Sequence, residues 1–288
     1  MLLHYFISRI MDINFNDFGL TFYKTSLLSG GLTNACLKVE AKEGTFVWRP
    51  VSTQAKLLGA DRNKEREILT ALETVSFAPR IHSTNEHGLL VEWLSGDVID
   101  LDKAQGAAVE LLVSVHQLAI NDFNDGIKNE VMSLKSRILD YWRSLQPEFK
   151  TLEMQTYIDY FSQQEEQTLF VPCLCHYDIG AYNIIVREEG YGLIDWEYAS
   201  IGDPSQDLTT MIIANQFDAD DVIHNYCLQR NFDSEPWQKA VAYWTPWVCF
   251  MGSLWFALGH QLLKDDCYQE LAEREMNKLK ELLPLIQK

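Results

Sequence analysis

Apolar and polar residues alternate in several short stretches of the first ninety-four positions, and this period of two predicts β-strands. We expect strands at residues 22–28, 35–41, 44–49 and 88–94, with one more beginning at 79–81. Short turns separate neighbouring strands, which favours an antiparallel sheet. Residues 61–72 instead repeat their apolar positions at helical spacing, so we expect a helix within this sheet region.

Beyond residue 94 the pattern is mostly helical, with helices expected at residues 104–118, 132–145 and 152–164. Residues 240–263 contain no Asp, Glu, Lys or Arg and approach the length of a membrane span. They include Pro246, His260, Gln261 and many aromatic side chains, whereas a helix facing lipid would be richer in Leu, Ile and Val. We therefore interpret this segment as a buried helix of a larger helical lobe, with no membrane insertion.

Strand character returns at residues 184–186 and 192–194, on either side of a charged turn. The hairpin follows His176 and Asp178, starts directly after Asn183 and ends at Asp195. Phosphoryl transfer from a nucleotide uses a carboxylate beside the acceptor hydroxyl and oxygen ligands for magnesium. Asp178 suits the first role, and Asn183 with Asp195 suits the second. His176 is expected to orient the loop, because Asp178 already supplies the proton acceptor.

Residues 176–183, with 194–199, 202–204 and 207–208, resemble the aminoglycoside phosphotransferase and choline kinase family. The resemblance runs from about residue 28 to the end of the chain and includes the thiamine kinase and choline/ethanolamine kinase branches. It implies an α+β, two-lobed protein-kinase-like fold, with a small antiparallel sheet lobe at residues 1–93 and a larger, mostly helical lobe at residues 94–288.

The same resemblance implies transfer of the γ-phosphate of ATP, with Mg²⁺, to the hydroxyl of a small molecule. Other acceptors of the family, such as an aminoglycoside, a sugar amine or homoserine, remain alternatives. A catalytically silent, nucleotide-binding scaffold is a further alternative, although it would not need Asp178, Asn183 and Asp195 together. A protein kinase fits less well, because D-F-G and A-P-E motifs are missing after Asp195.

A glycine turn between the first two strands is a candidate phosphate-binding loop. It contains Ser29, Gly30, Gly31, Thr33 and Asn34. Backbone amides in such a turn can approach phosphate oxygens, because glycine has no side chain in the way. The turn also resembles the first turn of choline kinases; the alternative is a simple hairpin connection.

Arg49 ends the third strand, where many kinases place the lysine that holds the nucleotide phosphates. The choline and thiamine kinase branches resemble this chain in having arginine there, which keeps the charge and can bind phosphate through two nitrogens. The alternative is an ordinary surface arginine. Glu65 or Glu67 on the next helix should pair with Arg49, and the family pattern favours Glu65. Val91 and Trp93 lie on the expected hinge, whose backbone would bind adenine.

The formal net charge of −17 argues against a nucleic-acid partner and suits a cationic substrate. An acidic surface that serves only solubility would give the same charge. Glu197 follows Asp195 closely, and Trp247 and Trp255 lie two helical turns apart. A carboxylate with aromatic faces can hold a cation, although both tryptophans could instead be core residues. We therefore expect a small cationic alcohol of the thiamine or choline type.

Six cysteines include no C-x-x-C pair, so a zinc cluster is not expected. Cys173, Cys175 and His176 could suggest a metal site, but the alternation of residues 171–175 favours a buried strand. Asp207 should tie its helix to residues 176–183, the expected catalytic loop, through buried backbone amides. His116 is expected to be a packed structural residue. The N-terminal residues lack a signal-peptide cleavage site, and we expect a cytoplasmic enzyme with reduced cysteines.

Overall fold

The computed structural model describes residues 15–28, 36–119, 123 and 125–284. The candidate phosphate-binding turn at residues 29–34 lies outside the described residues, so its five expected contacts remain predictions. The described N-terminal region contains five strands: β1 (Phe22–Leu27), β2 (Leu37–Ala41), β3 (Gly44–Pro50), β4 (Ile81–Asn85) and β5 (Gly88–Glu92). They form one antiparallel sheet in the order β1-β2-β3-β5-β4, as the alternating pattern predicted.

The two faces of this sheet bury different side chains. Phe46 and Trp48 of β3 pack on one face with the short turn Phe15–Phe18. The opposite face packs on helix α2 (Arg62–Ala71), which follows the short helix α1 (Thr53–Leu57). Asp61 caps α2 by accepting hydrogen bonds from the first-turn amides, and the helix buries Ile68 and Leu69. Burial of each such aliphatic side chain contributes about 2 kcal/mol.

A short crossover joins the sheet to the rest of the chain. On the sheet side, Trp93 N donates to Thr45 O over 3.1 Å. On the other side, β6 (Asp97–Val98) pairs with a strand of the following region. Gly96 between them has a φ of +141°, and a Cβ there would lie 2.0 Å from Val186 O, so glycine is required by both conformation and space.

The remaining described region is mostly helical. Its helices are α3 (Ala104–His116), α4 (Asp125–Asn129), α5 (Leu134–Ser144), α6 (Leu152–Gln163), α7 (Pro204–Asn215), α8 (Ala219–Arg230), α9 (Ser234–Leu263) and α10 (Asp266–Leu282). Together with the N-terminal sheet, they give the two-lobed α+β architecture that the sequence predicted.

Helix α9 is the one helix among the described residues with the length and composition of a membrane span. It packs against α5, α7 and α10, and 56% of its most apolar window is buried inside the protein. Its buried side chains include Trp244, Phe250 and Leu254. These contacts are those of a core helix, as expected from its polar and aromatic content.

Four short strands shape the loops between the helices: β7 (Cys173–Cys175), β8 (Ile184–Val186), β9 (Tyr191–Leu193) and β10 (Ser200–Gly202). Strands β8 and β9 form the expected hairpin, in which Ile184 pairs with Leu193. Asn183 precedes β8 and Asp195 follows β9, so antiparallel pairing places both residues at the same end of the hairpin. The hydrogen bond from Ile194 N to Asn183 O, 3.0 Å long, extends the pairing to that end.

Candidate active site

The side chains of Asp178 and Asn183 are in direct contact. Asn183 Nδ2 donates to Asp178 Oδ2 over 2.9 Å and to Asp178 O over 3.0 Å. Tyr182 donates its hydroxyl to the second carboxylate oxygen, Oδ1, over 2.6 Å. The amide nitrogen of Asn183 is thus used inside the loop, which leaves its amide oxygen as the ligand atom for a metal ion.

Asp207, in the first turn of α7, fixes the start of the catalytic loop. Its two carboxylate oxygens accept hydrogen bonds from His176 N and Tyr177 N, at 2.7 and 2.8 Å. His116 of α3 lies on the same carboxylate, with Nε2 3.2 Å from Oδ2. All these groups are buried, so the loop geometry depends on satisfied hydrogen bonds in a dry environment. Asp207 therefore has the tethering position that its sequence context suggested.

Asn215, at the end of α7, holds the middle of the same loop. Its Oδ1 accepts from Ala181 N and its Nδ2 donates to Ile179 O, each over 2.8 Å. Helix α7 therefore holds the start of the catalytic loop with Asp207, near its first residue, and the middle of the loop with Asn215, its last residue. Nothing in the sequence distinguished Asn215 from an ordinary helical residue, because its partners are backbone atoms more than thirty residues away.

Two backbone conformations mark the site. Tyr177 and Asp195 have φ values of 63° and 67°, in the left-handed region that costs non-glycine residues about 1 kcal/mol or more. The other described non-glycine residues with positive φ are Gln216, Asn231 and Lys264, which end helices. Tyr177 and Asp195 do not end helices. Tyr177 directly precedes Asp178, and Asp195 follows β9, so backbone strain is concentrated where the candidate chemistry lies.

His176 contacts the backbone of the candidate catalytic loop. It is fully buried, its Nδ1 accepts from Asp178 N over 3.3 Å, and its ring lies edge-on to Trp196 at 4.7 Å. Burial lowers the pKa of His176 to about 4, an effect that the nearby Asp207 carboxylate only partly offsets. The orienting role expected for His176 stays a prediction, and the contact with the amide of Asp178 is the geometry that this role requires.

A buried cluster of charges connects the sheet to the loop after β9. Arg49 Nε lies 2.8 Å from Glu65 Oε1, and its Nη2 contacts the Asp195 carboxylate and lies 3.3 Å from Glu197 Oε2. Arg62 pairs with Glu65 and lies 3.0 Å from Glu197 Oε2. Of the two glutamates left open by the sequence, Glu65 is thus the one that contacts Arg49.

This cluster, the arginine–carboxylate cluster of Arg49, Arg62, Glu65, Asp195 and Glu197, contains more negative than positive groups. Three carboxylates face two guanidinium groups, which leaves a formal charge of −1 before Asp178 is counted. Burial and the charge of Asp195 raise the pKa of Asp178 well above its usual range. A surplus of buried carboxylate oxygens of this kind fits a site for a hard divalent cation.

Asp195 has the properties of a metal ligand within this surplus. Its side chain is 24% exposed, whereas those of Glu65 and Glu197 are almost fully buried. Burial would raise the pKa of Asp195, but the positive charges of Arg49 and Arg62 outweigh burial and hold that pKa below its usual value. Asp195 therefore stays ionised, and it lies at the same end of the β8–β9 hairpin as Asn183.

The residues predicted to bind a cationic substrate occupy different environments. Glu197 lies buried between Arg49 and Arg62, and burial together with Asp195 raises its pKa. Trp255 is half-buried and donates its indole N–H to the hydroxyl of Tyr198, which follows Asp195 by three residues, over 3.1 Å.

Trp247 lies elsewhere. It is 4% exposed and packs on Phe161 at 4.7 Å between ring centroids. The structure thus brings Trp255 to the loop after Asp195 and leaves Trp247 in the helical core.

Val91 and Trp93, the two residues expected on the hinge, also lie in different surroundings. Val91 is buried in β5 between Val47 and Ile81, and the ring of Trp93 is covered by Lys38 Nζ at 4.3 Å. Since Trp93 N already donates to Thr45 O, an adenine ring would need other backbone groups of the crossover.

A family model described as "Phosphotransferase enzyme family" matches residues 24–243. The chain belongs to this family. It is 22% identical over 257 residues to a thiamine kinase of Escherichia coli O81 (strain ED1a), covering 88% of this chain and 89% of that protein.

Solved structures show the same fold at low identity. A choline kinase from Cryptosporidium parvum Iowa II is 18% identical, with a TM-score of 0.70 and coverage of 94% of this chain and 90% of that one. A choline kinase from Streptococcus pneumoniae is 15% identical, with a TM-score of 0.73 and coverage of 96% and 99%. The kinase-like fold and the family resemblance are thereby confirmed, and the protein is a small-molecule phosphotransferase with an alcohol group as acceptor.

Proposed function

We propose that this protein transfers the γ-phosphate of ATP, with Mg²⁺, to the hydroxyl of a small cationic alcohol of the thiamine or choline type. The observation that carries the proposal is the convergence of Asp178, Asn183 and Asp195 with the Arg49–Glu65 pair. The thiamine kinase and choline kinases among its relatives favour a cationic acceptor. A net charge of −17 would attract such a molecule.

Magnesium would be held by the amide oxygen of Asn183 and the carboxylate of Asp195. Both are hard oxygen ligands. Asp195 belongs to the arginine–carboxylate cluster, and Asn183 contacts the Asp178 carboxylate. Bound Mg²⁺ supplies neutralisation of the charge on the β- and γ-phosphates.

Asp178 would orient the acceptor hydroxyl and accept its proton. Tyr182 and Asn183 each donate a hydrogen bond to its carboxylate, so its orientation is set before a substrate arrives. The high pKa of Asp178 reflects burial and the negative Asp195. A bound cation would lower that pKa and keep Asp178 ionised for proton transfer.

Arg49 would bind the nucleotide phosphates after exchanging one partner. Its Nε contact with Glu65 lies on a different atom from its Nη2 contacts with Asp195 and Glu197. Glu65 can therefore hold the guanidinium in place while Nη2 changes from the Asp195 carboxylate to a phosphate oxygen. Trp255, beside Tyr198, is the aromatic residue best placed to contact the acceptor.

A coupled assay of ADP release tests the proposal, with thiamine, choline, ethanolamine, homoserine and an aminoglycoside offered separately to the purified protein with ATP and Mg²⁺. We expect kcat/KM to be highest for a cationic alcohol. Preference for homoserine or an aminoglycoside would overturn the proposed acceptor class. ATP binding measured by calorimetry, without ADP release on any acceptor, would instead favour the silent scaffold.

A further inference from the structure

We propose that Cys173, Cys175 and His116 form a binding site for one zinc ion, separate from the candidate active site. One ligand atom from each residue, the two thiol sulfurs and a ring nitrogen, lies within 4.8 Å of the others. Two thiolates and an imidazole are a ligand set that zinc prefers over magnesium. The sequence did not indicate this set, because His116 lies on α3 and the neighbouring His176 faces the catalytic loop.

The fold brings these residues together for a simple reason. Cys173 and Cys175 are two positions apart in β7, so their side chains point to the same side of the strand. Helix α3 packs against that strand and ends at His116. Three of the four ligands of a tetrahedral zinc site are therefore supplied by two packed elements.

A cavity provides a path for the ion. Cys173 and His116 line an open cavity of about 370 Å³ together with Tyr226, Arg230 and Trp237. Cys175 is fully buried behind them. An ion that enters from the cavity would meet Cys173 and His116 first, and the fourth tetrahedral position would be left for a water molecule on the cavity side.

The surroundings of His116 suit a metal ligand. Its Nε2 lies 3.2 Å from the Asp207 carboxylate and its Nδ1 lies 2.9 Å from the Tyr226 hydroxyl. The ion would replace one of these two contacts, and the other ring nitrogen would keep its hydrogen bond and fix the ring, as is usual for metal-bound histidine. Binding would displace the two thiol protons, one of them from the hydrogen bond that Cys175 Sγ makes to Gly202 O.

Cobalt(II) is a suitable probe, because thiolate-bound cobalt absorbs strongly in the ultraviolet and visible, whereas cobalt held by oxygen ligands does not. Reduced, full-length protein is titrated in excess Mg²⁺, which occupies oxygen sites such as Asn183 and Asp195. We expect one equivalent of cobalt to give the thiolate bands and one equivalent of zinc to remove them. No thiolate band at one equivalent would overturn the proposal.

Variants identify the ligands. Cys173→Ser and Cys175→Ser should each weaken zinc binding at least about tenfold, since even a group that only supports a ligand contributes that much. Cys267→Ser is the matched control, because Cys267 is exposed on α10. Thiolate bands of unchanged intensity at one equivalent of cobalt in Cys173→Ser, or their loss in Cys267→Ser, would refute the assignment.

A second measurement avoids the risk that Cys175→Ser fails to fold. The unchanged protein is treated with iodoacetamide with and without zinc, and the modified peptides are counted by mass spectrometry. Zinc should slow alkylation of Cys173 at least about tenfold and leave Cys267 unaffected, because only a bound thiolate is protected. Equal rates at Cys173 with and without zinc would contradict the proposal.

Discussion

The two sides of the candidate active site are held by different kinds of interaction. On the sheet side, Arg49 and Arg62 are surrounded by buried carboxylates, so attraction between full charges fixes their positions. On the side of the catalytic loop, Asp207 and Asn215 hold backbone amides and carbonyls through hydrogen bonds of 2.7–2.8 Å.

This difference matches the contacts that must change during the reaction, those of Arg49 and Asp195, and the part that must keep its position, the catalytic loop. Arg49 and Asp195 contact each other and would both have to turn to the magnesium nucleotide, and a charged side chain can exchange one charged partner for another. The catalytic loop has no comparable exchange to make, because Asp207 holds backbone amides that a substrate does not need. We therefore expect substitutions on the two sides to affect different kinetic constants.

The largest effect should come from Asp178→Asn. Loss of the proton acceptor should lower kcat by about two to four orders of magnitude, while KM for ATP and the melting temperature change little. The loop should remain in place because Asp207 and Asn215 hold its backbone. Steady-state kinetics and thermal unfolding measure these quantities. Turnover equal to that of the parent would remove Asp178 from the proposed role.

Glu65→Ala should lower the free energy of unfolding by about 3–5 kcal/mol, because the buried Arg49 and Arg62 would each lose a carboxylate partner. Urea unfolding gives the change in free energy. Glu67→Ala is the matched control two positions along the same helix, at a less buried position, and should cost clearly less.

A double-mutant cycle of each glutamate with Arg49→Ala sharpens the assignment. We expect coupling of about 1–3 kcal/mol for Glu65. Stronger coupling of Arg49 to Glu67 would show that the pairing is wrong.

Acid should lower the stability of the folded protein through His176, which lies on the side of the catalytic loop. Its folded pKa of about 4 lies below the unfolded value of about 6.5, so the folded state favours the neutral ring. This contribution to stability is complete above pH 6.5 and is lost as the pH falls from 6.5 to 4, by about 3 kcal/mol in total.

His176→Asn provides the comparison, because an amide oxygen can still accept from Asp178 N but does not titrate in this range. Urea unfolding between pH 4 and pH 7 should show a shallower loss of stability for the variant. Identical pH profiles for both proteins would mean that His176 is not held neutral.

Arg49→Ala should raise KM for ATP at least about tenfold and leave KM for the acceptor nearly unchanged. Arg49→Lys should restore part of the ATP affinity, since lysine keeps the charge but loses the planar fork that also contacts Glu65. Initial rates over a grid of both substrate concentrations separate the two constants. Equal changes in both would place Arg49 outside the nucleotide site.

The smallest effect should follow Trp255→Ala. An aromatic face beside a cationic acceptor contributes about 1 kcal/mol, so KM for the acceptor should rise several-fold with KM for ATP unchanged. Trp255→Phe should recover part of the loss. Trp247→Ala is the control in the core, and it should lower the melting temperature instead. A large loss of stability in Trp255→Ala without a selective change in KM would refute the aromatic contact.

Local patterns predicted the elements well, because their causes are local. Asp61 caps α2 and the periodic Ile68 and Leu69 define its buried face, so the expected helix at residues 61–72 is observed as Arg62–Ala71. The hairpin after Asn183 was predicted for the same reason, since its strands and charged turn are contiguous.

Arg62 and Asn215 could not be recognised in this way. Arg62 resembles a solvated charge in the first turn of a helix, and only the tertiary fold brings Glu197 to within 3.0 Å of it. Trp247 and Trp255 share a helix and an approximate face, yet neighbouring helices bury one and leave the other beside Tyr198. Helical spacing predicts a direction from the axis, whereas the partner found there depends on the packing of distant segments.

The crossover between the lobes limits how the cleft can open. It is pinned to the sheet by the hydrogen bond from Trp93 N and to the helical lobe by the pairing of Asp97 with Val186. Rotation of one lobe against the other must therefore be absorbed by the backbone dihedral angles of residues 94–96. A Cβ at position 96 would lie 2.0 Å from Val186 O, so the backbone of Gly96 passes close to β8. We therefore expect any opening of the cleft to be a small rotation about residues 94–96, in a direction set by β8, the strand that begins directly after Asn183.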